Sequence, residues 1–294
     1  MPQTMVGDME RIACRSREDA MALYGSPVWA RRAALERAIA TRHRKDSRFV
    51  LTGICRVDAA VVDFEVDRKW GAHQLEDGTW MPNWRERLEC PRCGLINRQR
   101  ALASALIEHM AGRDGRSVYL MEQVTAMYRA IPANLPTSIC YGSEYVGPEH
   151  KSGDIVRGIR HEDAMQLSFA DASLDAVMSN DVFEHVPDPA RAFREAARVL
   201  KPGGRLFFTV PFFFDREKNA RRAEEASGAV RHLLEPEYHG NPFSKDGSLV
   251  FTEFGWELLD VARAAGFVDC VAEAFWSLEY GHLGLSNLYF VATR

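Results

Sequence analysis

Three apolar runs of strand length stand close together in the second half of the chain, at Ile155–Ile159, Leu174–Met178 and Arg205–Val210. Between the second and third the period changes. Ala190, Phe193, Ala197 and Leu200 recur at helical spacing and predict a helix from Pro189 to about Leu200 with one face for a sheet. Asp188 occupies the N-cap position and Pro189 the first helical position, where no amide donor is needed. Lys201-Pro202-Gly203-Gly204 then stops the helix. Strand, helix and buried strand with short connections form a βαβ crossover, so the sheet is parallel and the fold class α/β.

The flanking pattern extends this picture in both directions. Residues 1–27 have weak periodicity and read as a loosely structured lead-in. Val28 to about Arg44 is helical, and its arginines read as a solvated face. Phe49–Val66 suits a β-hairpin, 67–89 an ordered loop anchored by Trp70, Trp80 and Trp84, and Asn97 to Met110 a helix. Gly112-Arg113-Asp114-Gly115 predicts a domain boundary, giving 28–113 and 114–294. Beyond it lie strands at Ser117–Met121 and Ser138–Tyr141, with a helix from Thr125 to Ile131 truncated by Pro132. After Pro211 comes a charged segment, Asp215–Arg231, and then EPEYHGNPFSKDG, which reads as irregular. Thr252 reads as the cap of an amphipathic helix over Phe254–Ala265, and Val268–Trp276 and Leu285–Ala292 as the last two strands.

Composition narrows the class. With 294 residues and a formal net charge of −4, the chain has an ample core and no global basic field for nucleic acid. No apolar run approaches the ~20 residues of a membrane span, and the N-terminus lacks a secretory apolar segment, so the expected location is cytoplasmic. Six cysteines in this length do not make a disulfide scaffold.

Chemistry concentrates just past the strand ends, where open parallel sheets bind ligands. Glu122, Glu144, Glu162-Asp163 and Asn180-Asp181 follow the four strands in turn. Such groups suit the hydroxyls and exocyclic amine of a nucleoside; helix capping would explain only one or two of them. His185 and His239 are the candidate general bases. Cys55 with Asp58, then Cys90 with Cys93, have the two-residue gaps of zinc knuckles, with His73 as an alternative fourth ligand and a structural zinc as the implied metal.

Asp163-Ala164, Leu167-Ser168-Phe169, Ser173-Leu174-Asp175, Glu184-His185-Val186 and Arg198-Val199-Leu200-Lys201-Pro202-Gly203-Gly204 resemble a class I S-adenosylmethionine-dependent methyltransferase. The resemblance implies a Rossmann-like seven-stranded sheet over 114–294, beside a smaller N-terminal helical and zinc-ribbon-like domain. It also implies S-adenosylmethionine as cofactor, with Glu122 opening the first motif and Gly142 and Glu144 ending the second strand, Glu144 on the ribose. Asp163 and Ala164 would meet the adenine, and Asn180 and Asp181 the methionine end. The acceptor it brings to mind is a small molecule or saccharide. The chain departs from the family at Glu122-Gln123-Val124-Thr125-Ala126-Met127, where the usual glycines are absent. That departure supports a rival reading, an inactive methyltransferase-fold protein that binds ligand or serves as a scaffold.

Overall fold

The computed structural model describes residues 10–226, 228–241 and 243–294. A seven-stranded mixed sheet is built from β1 (Glu10–Cys14), β2 (Ser117–Leu120), β3 (Ile139–Gly142), β4 (Leu174–Asn180), β5 (Leu200–Thr209), β6 (Asp269–Trp276) and β7 (Leu288–Thr293). Their order across the sheet is β1, β6, β7, β5, β4, β2, β3. β4 is parallel to both β5 and β2, β2 is parallel to β3, and β7 runs antiparallel to β5.

The predicted crossover is present. Asp188 Oδ1 accepts from the Arg191 amide at 3.0 Å, Pro189 opens the helix, and the helix runs to Val199. Its inner face buries Ala192, Phe193, Ala196 and Ala197. Phe193 stacks on Phe183 at 4.3 Å and meets Phe208 of β5 edge-on at 5.4 Å, burying the large apolar area that fixes the helix on the sheet. Arg198 ties the helix end to the preceding loop by donating to the carbonyls of Leu167 and Phe169.

Several expectations are corrected. Ile155–Ile159 is not a strand of the main sheet; Ile155–Val156 folds back on Ile159–Arg160. Arg157 (φ 52°) and Gly158 (φ 84°) supply two consecutive left-handed residues, the geometry of a tight hairpin turn, and this overrides the apolar run. The seventh strand is instead β1, inside the stretch read as a loose lead-in, and Arg17–Tyr24 there is helical. The part of that lead-in over 1–9 lies outside the described residues.

Pro132 sits inside the helix Ala126–Asn134 without ending it. The charged segment after Pro211 forms the hairpin Ala223–Ala226 with Ala229–His232, and the stretch read as irregular contributes to a second, Tyr238–Asn241 with Ser244–Leu249. Thr252 lies in a short bridge with Arg221 and caps nothing; the last helix is Glu257–Ala264. Trp70 is 71% exposed and anchors nothing, whereas Trp84 is buried.

The chain divides into two compact units, and the division is not linear. One holds β1, Glu18–Ala105 and the returning segment Glu273–Leu288; the other holds Arg15–Arg17, Leu106–Ala272 and Tyr289–Arg294. Along these bounds the chain passes between the units five times, at 14/15, 17/18, 105/106, 272/273 and 288/289.

Within the first unit the helix Pro27–Arg42 is capped by Ser26 and buries Trp29. Arg32, expected on a solvated face, is 8% exposed, its guanidinium lying over the rings of Trp29 and Trp276 at 4.4 and 4.8 Å. The hairpin Arg48–Cys55 with Ala60–Asp67 forms as predicted. Among the described residues no helix is long and apolar enough to cross a membrane.

Candidate functional site

At the end of β2, the turn Glu122–Thr125 is held by side chains where a glycine-rich loop would rely on backbone freedom. The Thr125 hydroxyl donates to Glu122 Oε2 and accepts from the Tyr128 amide, closing the turn and capping the next helix at once. The amides of Gln123 and Val124 both donate to Glu144 Oε1, at 2.7 and 2.9 Å. The Gln123 side chain spans to the 155–160 hairpin, accepting from the Arg160 amide at 2.9 Å and donating to the Gly158 carbonyl at 3.3 Å. Burial raises the Glu144 carboxyl above its ordinary range, and the two amides oppose that shift.

Gly142 plays a different part from the one expected. A Cβ there would lie 2.3 Å from the Tyr128 ring and 2.8 Å from the Glu122 carbonyl, so the glycine makes room for protein. Past β3, Glu144 bridges to His161, which brings the 161–164 segment alongside it even though that segment is outside the sheet. Glu162 is buried and structural, bonded to Arg160 and Ser168. Asp163 Oδ1 accepts from the Met165 amide at 2.8 Å, and Asp163 and Ala164 remain half-buried.

At the end of β4, the Thr209 hydroxyl lies 3.1 Å from Asn180 Oδ1 and 2.7 Å from Asp181 Oδ1. Asp181 has φ 52°, a conformation uncommon outside glycine and frequent at functional turns. The donor set fits the adenosine half of S-adenosylmethionine: Glu144 and Asp163 each have one oxygen committed to the backbone and one outside those bonds. The first-turn amides of Gln123 and Val124 are both engaged by Glu144.

His185 and His239 are brought together, their rings edge-to-face with centroids 5.0 Å apart. Between them is Glu184, which the sequence marks only as part of the Glu184-His185-Val186 motif and gives no role. Glu184 Oε1 is 3.5 Å from His185 Nε2 and 3.8 Å from His239 Nδ1. Burial, and next the Asp181 charge, raise the Glu184 carboxyl despite the histidines; Glu184 in turn raises His239.

In the first unit, ligand atoms of Cys55, Asp58, Cys90 and Cys93 lie within 4.8 Å of one another. Two thiolates on a tetrahedral zinc stand about 3.8 Å apart, given Zn–S near 2.3 Å, and the Cys55 and Cys93 sulfurs are 3.9 Å apart. His73 is exposed in a short strand outside the cluster. Arg100, 1% exposed, stacks on Phe64 at 3.9 Å and donates to the carbonyls of Leu88, Tyr280 and Gly281. Burial lowers its guanidinium to about 10, while the neighbouring thiols and Asp58 pull the other way. A zinc held by three thiolates and a carboxylate would be dianionic, a charge this buried cation would offset.

Residues 105–208 match the family described as a methyltransferase domain. The 27-O-demethylrifamycin SV methyltransferase of Amycolatopsis mediterranei is 42% identical over 74 residues, covering 24% of this chain and 27% of that protein. The arsenite methyltransferase of Aquipseudomonas alcaligenes is 41% identical over 64 residues, covering 22% and 18%. The chain thus spans about a quarter or less of the length of these curated relatives. A solved S-adenosylmethionine-dependent methyltransferase from Mesorhizobium loti aligns at 17% identity with a TM-score of 0.36, over 66% of this chain and 98% of that one. The segment 105–208 that matches the methyltransferase-domain family contains β2, β3, β4, the capped helix and every strand-end acid described above.

Proposed function

We propose that the chain transfers the methyl group of S-adenosylmethionine, in line, to a small-molecule or saccharide acceptor. The observation that carries this reading is the rim of acidic and amide side chains, Glu122, Glu144, Asp163, Asn180 and Asp181, at the ends of the parallel strands and beside them. When bound, the cofactor supplies an electrophilic methyl on a sulfonium, whose C–S bond breaks with its electron pair staying on sulfur. In-line displacement of this kind is helped chiefly by positioning and electrostatics. Glu144 would hold the ribose hydroxyls through Oε2, and Asp163 with Ala164 the adenine. Asn180 and Asp181 would line the methyl-transfer position, with His185 and His239 on the acceptor side.

In the first unit, Cys55, Asp58, Cys90 and Cys93 would hold a structural zinc that cross-links the 48–67 hairpin to the 90–93 turn. Four protein ligands leave no open position for catalysis. Support comes from the sulfur spacing and the buried Arg100.

Calorimetry with S-adenosylmethionine and S-adenosylhomocysteine tests the cofactor claim, with binding of both expected. Incorporation of labelled methyl from S-adenosylmethionine into a cell extract then tests turnover. Binding without incorporation would favour the ligand-binding or scaffold role, and no binding of either compound at millimolar concentration would reject the enzymatic reading.

A further inference from the structure

Glu184 has no part in cofactor binding, yet its environment is costly. Its side chain is 1% exposed, and among the described residues neither carboxylate oxygen accepts a hydrogen bond. Leaving a buried carboxylate without donors costs several kcal/mol, and folded proteins meet that cost with a paired charge or a metal. Two imidazoles face the carboxylate, but at 3.5 and 3.8 Å they stand off hydrogen-bonding contact.

Both rings are oriented from their far sides. His185 Nδ1 is 2.9 Å from the Leu249 carbonyl, which fixes the proton there and leaves the Nε2 lone pair toward Glu184. His239 Nε2 is 3.3 Å from Glu237 Oε1, leaving Nδ1 toward Glu184. Outer carbonyl and carboxylate partners that set the tautomer and aim the other nitrogen inward are the usual support of metal-ligating histidines. Ligands 2.0–2.2 Å from a common ion are separated by about 3.0–3.5 Å, so small side-chain adjustments bring these three atoms onto one centre.

We propose that Glu184, His185 and His239 bind a divalent transition-metal cation on the acceptor side of the methyl-transfer position. Two imidazoles and one carboxylate suit manganese, iron, cobalt or zinc better than magnesium, which prefers an all-oxygen shell. Three protein ligands leave positions for an acceptor hydroxyl. Coordination lowers that hydroxyl's pKa, so its proton passes to bulk water and the oxygen is held as an oxyanion. The oxyanion's lone pair then forms the C–O bond as the methyl–sulfur bond breaks and its pair stays on sulfur. With the cation bound, both histidines are ligands and neither acts as a base. The acceptor's class follows: a hydroxyl compound able to coordinate a metal.

The acceptor's role rests on the methyltransferase reading; the metal site does not. The test therefore reads the metal alone. Full-length protein with its cysteine site loaded with zinc is titrated with Mn2+, and free Mn2+ is followed by electron paramagnetic resonance. One bound equivalent is expected, with affinity at least tenfold weaker in Glu184→Gln and in His239→Ala. Glu184→Gln is nearly isosteric and His239 is 32% exposed on a hairpin, so both variants should fold. Neither Mn2+ nor Co2+ binding beyond the cysteine site, or wild-type affinity in both variants, would overturn the site. Mn2+ binding in a protein that fails the cofactor calorimetry would leave the metal site standing and reject only the methyl-transfer reading.

Discussion

One oxygen of Glu144 accepts hydrogen bonds from two consecutive amides, those of Gln123 and Val124. The carboxylate thus builds the turn after β2 while being the residue proposed to hold the ribose. Substitutions should separate the two roles. Glu144→Gln keeps an acceptor for the amides and should leave the urea midpoint near wild type while weakening S-adenosylhomocysteine binding at least tenfold. Glu144→Ala should weaken binding and also lose about 1–3 kcal/mol of stability, through the loss of two hydrogen bonds to a charged acceptor. Equal binding in wild type and Glu144→Gln would remove Glu144 from the cofactor site.

Gly142 and Tyr128 form a second testable pair. A methyl at Gly142 collides with both the Tyr128 ring and the Glu122 carbonyl, so Gly142→Ala should cost about 1–3 kcal/mol. Adding Tyr128→Ala should recover part of the loss, because the ring can be removed and the carbonyl cannot. A double-mutant cycle in urea reads the coupling, and strict additivity would contradict the contact.

Asp175 gives a pH dependence. Burial raises its carboxyl, but Lys201 at 2.7 Å, the Ser117 amide and Arg116 outweigh burial and hold it below the usual 3.8. A lowered folded-state value contributes stability that is present above the unfolded value and lost as pH falls through the folded one. Asp175→Asn should therefore be less stable at neutral pH and show a flatter stability profile below roughly pH 4, measured by urea titration at each pH. An unchanged acid limb would show that the pairing contributes nothing.

For the cysteine cluster, metal analysis of native protein prepared without chelator should give one zinc per chain. Cys90→Ser should abolish it, Asp58→Asn should weaken it, and His73→Ala should leave it unchanged. Chelation should lower the thermal midpoint. Zinc content near zero, or loss of zinc on changing His73, would reject the assigned ligand set.

The parts of this molecule that were legible beforehand are those governed by local chemistry. Asp188-Pro189 and Lys201-Pro202-Gly203-Gly204 bound a helix whose inward residues recur every third or fourth position, and no distant contact is needed to see it. In the 155–160 segment the isoleucines suggest a strand of the sheet, but the Arg157-Gly158 turn decides its path. β1 was missed because an edge strand of five residues with Glu10 and Arg11 has little apolar alternation to detect. Glu184 was invisible for another reason. Its burial and its facing of His239, 55 positions away in sequence, exist only in three dimensions.

The guanidinium of Arg100 donates to carbonyls at Tyr280 and Gly281, some 180 positions downstream. In chain order most of the larger unit, Leu106–Ala272, is an insertion within the smaller one, whose last piece, Glu273–Leu288, follows it. A fragment ending near residue 113 would keep the arginine, the Leu88 carbonyl and the four proposed zinc ligands but lose the Tyr280 and Gly281 carbonyls that accept from the buried cation. Truncation at that linear border should therefore yield an insoluble or unfolded piece, and dissection of this protein must excise the middle and rejoin the ends.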